Sequence, residues 1–201
     1  MQTLLVIQAS LFGHNGRSSQ LAAEYVDGWR KAHPNGRVII RDLAADPVPQ
    51  LTAERFQAFI APERTPEQQA IADYSAMLID ELTSADEIVL AVPMYNFNIP
   101  TGLQNWFDHV ARAGITFRYT ENGPEGLVKG KRVRVFIARG GQYGETHSQT
   151  AYLRQILSFM GMSDIVFVHA EGLNINETVR EQALTKARRV IEELVEQRAV
   201  A

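Results

Sequence analysis

The chain has 201 residues, 45% hydrophobic and 21% charged, with a formal net charge of −3. That is enough for one α/β domain spanning residues 1–201, and it offers no electrostatic reason to bind nucleic acid or an anionic membrane. There is no cysteine, which excludes disulfides, thiolate nucleophiles and Cys-based zinc sites, so any redox chemistry must come from a bound cofactor.

In chain order, the apolar run Leu4–Ile7 within Thr3–Gln8 reads as a buried strand. With no Lys or Arg ahead of it, it does not read as a signal peptide, and a cytoplasmic protein is the expectation. Leu21, Ala22, Tyr25, Val26 and Trp29 place one apolar face on a helix over Ser18–His33. Arg37–Arg41 is a second strand. Helical pieces near Ala53–Phe59 and Glu67–Leu82 follow in a proline-punctuated connection. Ile88–Val92 is a third strand, and a helix runs from Pro100 to about Ala111. Val133–Ala138 is a fourth strand, Ser148–Phe159 a helix, Ile165–Val168 a fifth strand, and Glu177–Gln197 the closing helix. No stretch approaches the ~18 apolar residues of a membrane span.

Strands that are apolar throughout, each followed by a helix, indicate a parallel sheet covered on both faces. The expectation is a three-layer flavodoxin-like sandwich with strand order 2-1-3-4-5 and helices alternating between faces. Ligands of such sheets bind at the carboxyl ends of the strands, where the order reverses. The loops after Gln8, Val92 and Ala138 are therefore the candidates.

The first of these, Ser10 to Ser19, leaves a strand and enters a helix. Its hydroxyls, Gly13, Gly16 and unused helix amides suit an anion, and Arg17 could add a charged contact. The plainer alternative is that Ser18 or Ser19 caps the helix. Neither G-x-x-x-x-G-K-[ST] nor G-x-G-x-x-G is present, so Asp42 reads as a turn residue rather than a ribose ligand. The second loop, Pro93–Pro100, carries Met94, Tyr95, Asn96, Phe97 and Asn98, which offer apolar faces and polar edges to a flat ring. The third, Arg139–Gly144, has Gly140 and Gly141, where backbone can approach a ligand closely. Residues 114–131 contain the turn signals Asn122-Gly123 and Glu125-Gly126. They read as an excursion above the sheet edge that walls a pocket or meets a partner subunit. The histidines at 14, 33, 109, 147 and 169 show no metal-ligand spacing.

Several stretches resemble the FMN-dependent NADH-azoreductases, flavodoxin-like relatives of the NAD(P)H quinone oxidoreductases. The carrying residues are Ala91–Pro100, Asn105–Asp108, Val110–Gly114, Phe117–Leu127, Arg41–Ala45 and Ala170–Gly172. The resemblance implies tightly bound FMN, with its phosphate at Ser10, Gly16, Arg17 and Ser18. It implies the ring beside Met94, Tyr95, Asn96 and Phe97, and a third contact stretch at Ala138, Arg139, Gly140 and Gly141. Gly16, Arg17 and Ala138 stand where the family often has hydroxyl or amide residues. The resemblance further implies NADH or NADPH as co-substrate, a quinone or azo acceptor reduced in a two-step exchange, and a homodimer whose subunits complete each site. Tyr119 and Phe159 are candidate walls of the acceptor slot. Arg55 and Arg64 are candidates for meeting a 2′-phosphate. The competing reading is a flavodoxin-like electron carrier, against which the excursion and the absence of a dense acidic run argue.

Overall fold

Leu4 to Ile7 have no polar side chain to turn toward water, so their strand is stable only where both faces are covered. In the computed structural model, which describes residues 1–199, this strand, β1 (Thr3–Gln8), lies inside a parallel sheet. Around it stand α1 (Arg17–Ala32), β2 (Arg37–Asp42), α2 (Ala53–Ile60) and α3 (Pro66–Ser84). The chain continues through β3 (Glu87–Pro93), α4 (Thr101–Val110), β4 (Phe117–Thr120), β5 (Gly123–Gly126) and β6 (Arg132–Ala138). It ends with α5 (Ser148–Phe159), β7 (Asp164–Ala170) and α6 (Glu177–Ala199).

The sheet order is β2-β1-β3-β6-β7, all parallel, which is the expected 2-1-3-4-5 once the separate hairpin β4–β5 is set aside. Every residue of β3 is buried, as its central position requires. Helix starts follow local chemistry. Pro66 opens α3, where its missing N–H is not needed, and Thr65 and Gln68 form a reciprocal capping box around it. Asp42 is a turn residue, its Oδ1 accepting from the amides of Ala44 and Ala45.

The helices cover both faces but do not alternate. Apolar residues of α3, α4 and α5 share one core with Leu5, Ile7 and Ile88, whereas α1 and α6 pack on the other face around Leu4, Val6 and Val89. The handedness of crossovers explains this. A right-handed step from β1 to β2 puts α1 on one face. Every later crossover moves across the sheet in the opposite direction, which puts its helix on the other face. The direction changes between β1 and β3, so their carboxyl ends flank an uncovered crevice.

Candidate functional site

The loops after β1, β3 and β6 converge at that crevice on a cavity of about 200 Å³. Ser10, Gly16 and Arg17 line it from the first loop, Met94 and Tyr95 from the second, and Ala138, Arg139 and Gly140 from the third. Ser18, Asn96, Phe97 and Gly141 stand next to these residues without lining the cavity itself. A larger groove of about 400 Å³, bordered by His169, Glu171 and Lys186, receives nothing from the loops after β1 and β3.

The start of α1 is built differently from most of its neighbours. Side chains of Thr52, Thr65 and His147 cap α2, α3 and α5, but α1 is preceded by Gly16, which has no side chain, and its first turn carries no acidic residue. The first helical bond runs from the Gln20 amide to Gly16 O. The amides of Arg17, Ser18 and Ser19 therefore point out of the helix end without an acceptor among the described residues. Ser18 is fully buried, and its Oγ also has no partner there. A Cβ on Gly16 would lie 2.1 Å from Ser10 Oγ, so the cradle tolerates no side chain at that position. Ser10 Oγ lies 3.4 Å from Tyr95 Oη and accepts from the Phe12 amide at 3.2 Å. Arg17 is exposed, and its guanidinium donates to Gln20 Oε1 at 2.9 Å.

In the second loop, Tyr95 and Asn98 exchange backbone hydrogen bonds, both of 3.1 Å, across a tight turn. The central residues Asn96 and Phe97 have φ of 48° and 65°. Left-handed backbone is ordinary for Asn and uncommon for Phe. The turn holds Phe97 outward, 63% exposed, with its ring edge-on to Tyr143 and near His147. The loop is tied to the third strand end by the Met94 amide, which donates to Ala138 O at 2.9 Å.

In the third loop the side chain of Arg139 is fully buried, so Arg139 borders the cavity through its main chain. Its guanidinium bonds Gln149, Gly144, Glu171 and Thr150. Burial would raise the Glu171 carboxyl, but bonds from Arg139 and from the amides of Gly144 and Tyr143 outweigh it and hold the group below its ordinary range. Burial, with Arg139 nearby, depresses His169. The amides of Gly140 and Gly141 have no acceptor among the described residues.

Phe12, Pro93, Leu173 and Asn174 also line the cavity and were missed by sequence reasoning. Leu173 and Asn174 follow β7 and extend its pairing, their amides donating to Arg139 O and Gly140 O. Their signal in the sequence is the same strand-end rule, at the fifth strand. Tyr119 and Phe159 are not brought to the cavity within one chain. They belong to a second aromatic group around Phe117, whose ring lies 4.4 Å from that of Phe159 and 5.6 Å from that of Tyr119. Arg64 is bonded to Ala58 O and Phe59 O at the end of α2.

A doubly wound parallel sheet with its site at the β1/β3 switch point defines a protein of the flavodoxin-like class. The Flavodoxin_2 family model, described as a flavodoxin-like fold, matches residues 2–195, and the chain belongs to that family. It is 51% identical to an FMN-dependent NADH:quinone oxidoreductase of Cellvibrio japonicus, over 96% of this chain and 98% of that one. It is 52% identical to the enzyme of the same description from Alcanivorax borkumensis, over 92% and 96%. Among solved structures it is similar to an FMN-dependent NADH-azoreductase of Bacillus anthracis in complex with FMN, with a TM-score of 0.90, 26% identity, and coverage of 99% and 100%.

Proposed function

We propose that this protein is an FMN-dependent NAD(P)H oxidoreductase that reduces quinones and cleaves azo bonds, acting as a cytoplasmic homodimer, with residues 1–201 as one FMN-binding domain. The observation that carries the reading is the start of α1, where unused amides and an orphaned, buried Ser18 hydroxyl stand beside a cradle that Gly16 leaves open. A buried hydroxyl without a partner is unfavourable unless a ligand satisfies it. A phosphate fits this donor set, which holds no opposing carboxylate. The names of the relatives supply the rest of the group.

In this reading Ser10, Ser18 and the free amides that follow Gly16, beginning with that of Arg17, hold the phosphate, and the exposed Arg17 guanidinium exchanges Gln20 for it. Met94, Tyr95, Asn96 and Phe97 border the ring. The amides of Gly140 and Gly141 donate to its polar edge, with Ala138 and Arg139 contributing main chain. When bound, FMN supplies hydride transfer, from NADH or NADPH to one quinone, or in two rounds to an azo bond. The residues bind, orient and exclude water. No carboxylate or histidine lines the cavity among the described residues. Nucleotide and acceptor use the same opening in turn, which makes the kinetics ping-pong.

The homodimer rests on what one chain leaves uncovered. Tyr119 is 75% exposed and Ile115 47% exposed on the excursion, and Phe56 and Ile60 are exposed on α2. Tyr119 and Phe159 would reach an acceptor only from a second copy. No helix among the described residues is long and apolar enough to cross a membrane.

Steady-state kinetics on the FMN-loaded protein tests the reading. NADH or NADPH varied against a benzoquinone, and then against an azo dye, should give parallel double-reciprocal lines, with two nucleotides oxidised per azo bond. A protein that neither binds added FMN nor is bleached by nucleotide would sink the proposal. Turnover with the quinone alone would remove azo cleavage.

A further inference from the structure

The turn that presents Asn96 and Phe97 is not held by its own sequence. Phe at φ 65° is strained, and the two bonds between Tyr95 and Asn98 are all the turn supplies within itself. Besides the Met94 amide on Ala138 O and the Tyr95 hydroxyl at Ser10 and Leu11, it is supported by a side chain about fifty residues away. Gln149, fully buried in the first turn of α5, donates from Nε2 to Pro93 O at 3.0 Å and to Asn98 O at 3.4 Å. Its Oε1 accepts from Arg139 Nε at 3.0 Å.

Arg139 anchors that amide in turn. Nη1 donates to Gly144 O at 2.9 Å and to Glu171 Oε1 at 2.7 Å, and Nη2 donates to Thr150 Oγ1 at 2.6 Å. The planar guanidinium thus fixes Gln149 so that its amide nitrogen must face the carbonyls of the second loop. Glu171 compensates the charge and accepts from the amides of Tyr143 and Gly144. One relay, Glu171–Arg139–Gln149, therefore joins the segments after β7, β6 and β3 beneath the cavity floor.

We infer that Gln149 and Arg139 are positioning residues, which hold the strained Tyr95–Asn98 turn in the orientation that presents Asn96 and Phe97 to a ligand. The consequence for FMN rests on the function proposed above, whereas the consequence for the turn does not.

The experiment is hydrogen exchange on the ligand-free protein, comparing the amides of Tyr95 and Asn98 with the β3 amide of Leu90, followed by FMN titration. Gln149→Met keeps the shape of the side chain and removes both its hydrogen-bonding atoms. It should speed exchange at Tyr95 and Asn98 relative to Leu90 by about tenfold or more, the loss expected when buried carbonyls lose their donor. It should raise the FMN dissociation constant by a similar factor. Adding Phe97→Gly converts the turn to Asn-Gly, which prefers left-handed backbone, and should restore protection at both amides. A residue that merely filled space would show no such rescue. Should Gln149→Met not fold, Gln149→Glu, which keeps the acceptor for Arg139 and loses the donor, is read in the same way. Unchanged relative exchange in the folded variant, or no rescue by Phe97→Gly, overturns the inference. If the exchange results hold and wild-type protein binds no FMN, the positioning role stands and the proposed function falls.

Discussion

At the scale of single residues, Ser18 separates a ligand contact from a packing residue. Its buried Oγ has no partner in the ligand-free protein. Ser18→Ala should therefore leave that protein as stable as before, or more stable by up to ~1 kcal/mol. The same change should weaken FMN binding about tenfold, the worth of one hydrogen bond to a charged group. Thermal unfolding with and without FMN reads both, and an equal loss in the two states would make Ser18 structural. The position of Ser18 was legible because a strand, a hydroxyl-rich loop and a helix follow one another in sequence, and geometry aims such a helix start at the crevice. The task of the Arg139 side chain was not legible. An arginine in a glycine-rich loop looks like a ligand contact, and the carboxylate that withdraws it lies 32 positions along the chain.

At the scale of elements, the segment between α4 and β6 taught the most. Its turn signals were readable, but its place was not. The excursion is a hairpin whose base lies against the last residues of α5, toward the amino ends of the strands rather than above the site. The Val128 amide donates to Met160 O, and a Cβ on Gly126 would lie 2.1 Å from Gly161 N. Two backbones meet there, and the need for glycine shows only when both are present. Gly126→Ala should displace the hairpin at a cost of about 1–3 kcal/mol. For a chain of this length that lowers Tm by roughly 2–4 °C per kcal/mol. Because Gly126 is remote from the cavity, FMN affinity per chain should stay within about twofold, whereas sedimentation should show a weakening of the proposed dimer. A native Tm would mean that the backbones separate freely. The order of the five sheet strands was legible from apolar runs alone. That order also sets the direction of each crossover, so the grouping of helices was within reach of it; the expected alternation of helices does not follow, because handedness puts crossovers of one direction on one face.

At the scale of the whole molecule, two histidines withdrawn from water, His109 buried and His169 half-buried, make stability depend on pH. His109 is fully buried, with Nδ1 bonded to Asn105 O and Nε2 without a partner among the described residues. Burial depresses it, and Arg55 and Arg112 oppose its protonation further. His169 is depressed by burial and by Arg139. In each case the folded pKa lies below the 6.5 of the free side chain. The unfolded chain therefore binds the proton first as pH falls. The stabilisation is complete above 6.5 and is lost as pH drops through the folded values. Glu171, also held below its ordinary 4.5, adds a second loss of the same sign at lower pH. Its protonation removes the only carboxylate bridged to Arg139 among the described residues, which leaves a buried guanidinium without that counter-charge. The melting temperature of the ligand-free protein should thus fall in two stages, first below pH 6.5 and again in the carboxylate range. His109→Gln with His169→Gln should flatten the first stage and leave the second. A double variant whose melting temperature declines like that of the native protein between pH 7 and 5 would assign the first stage to other groups.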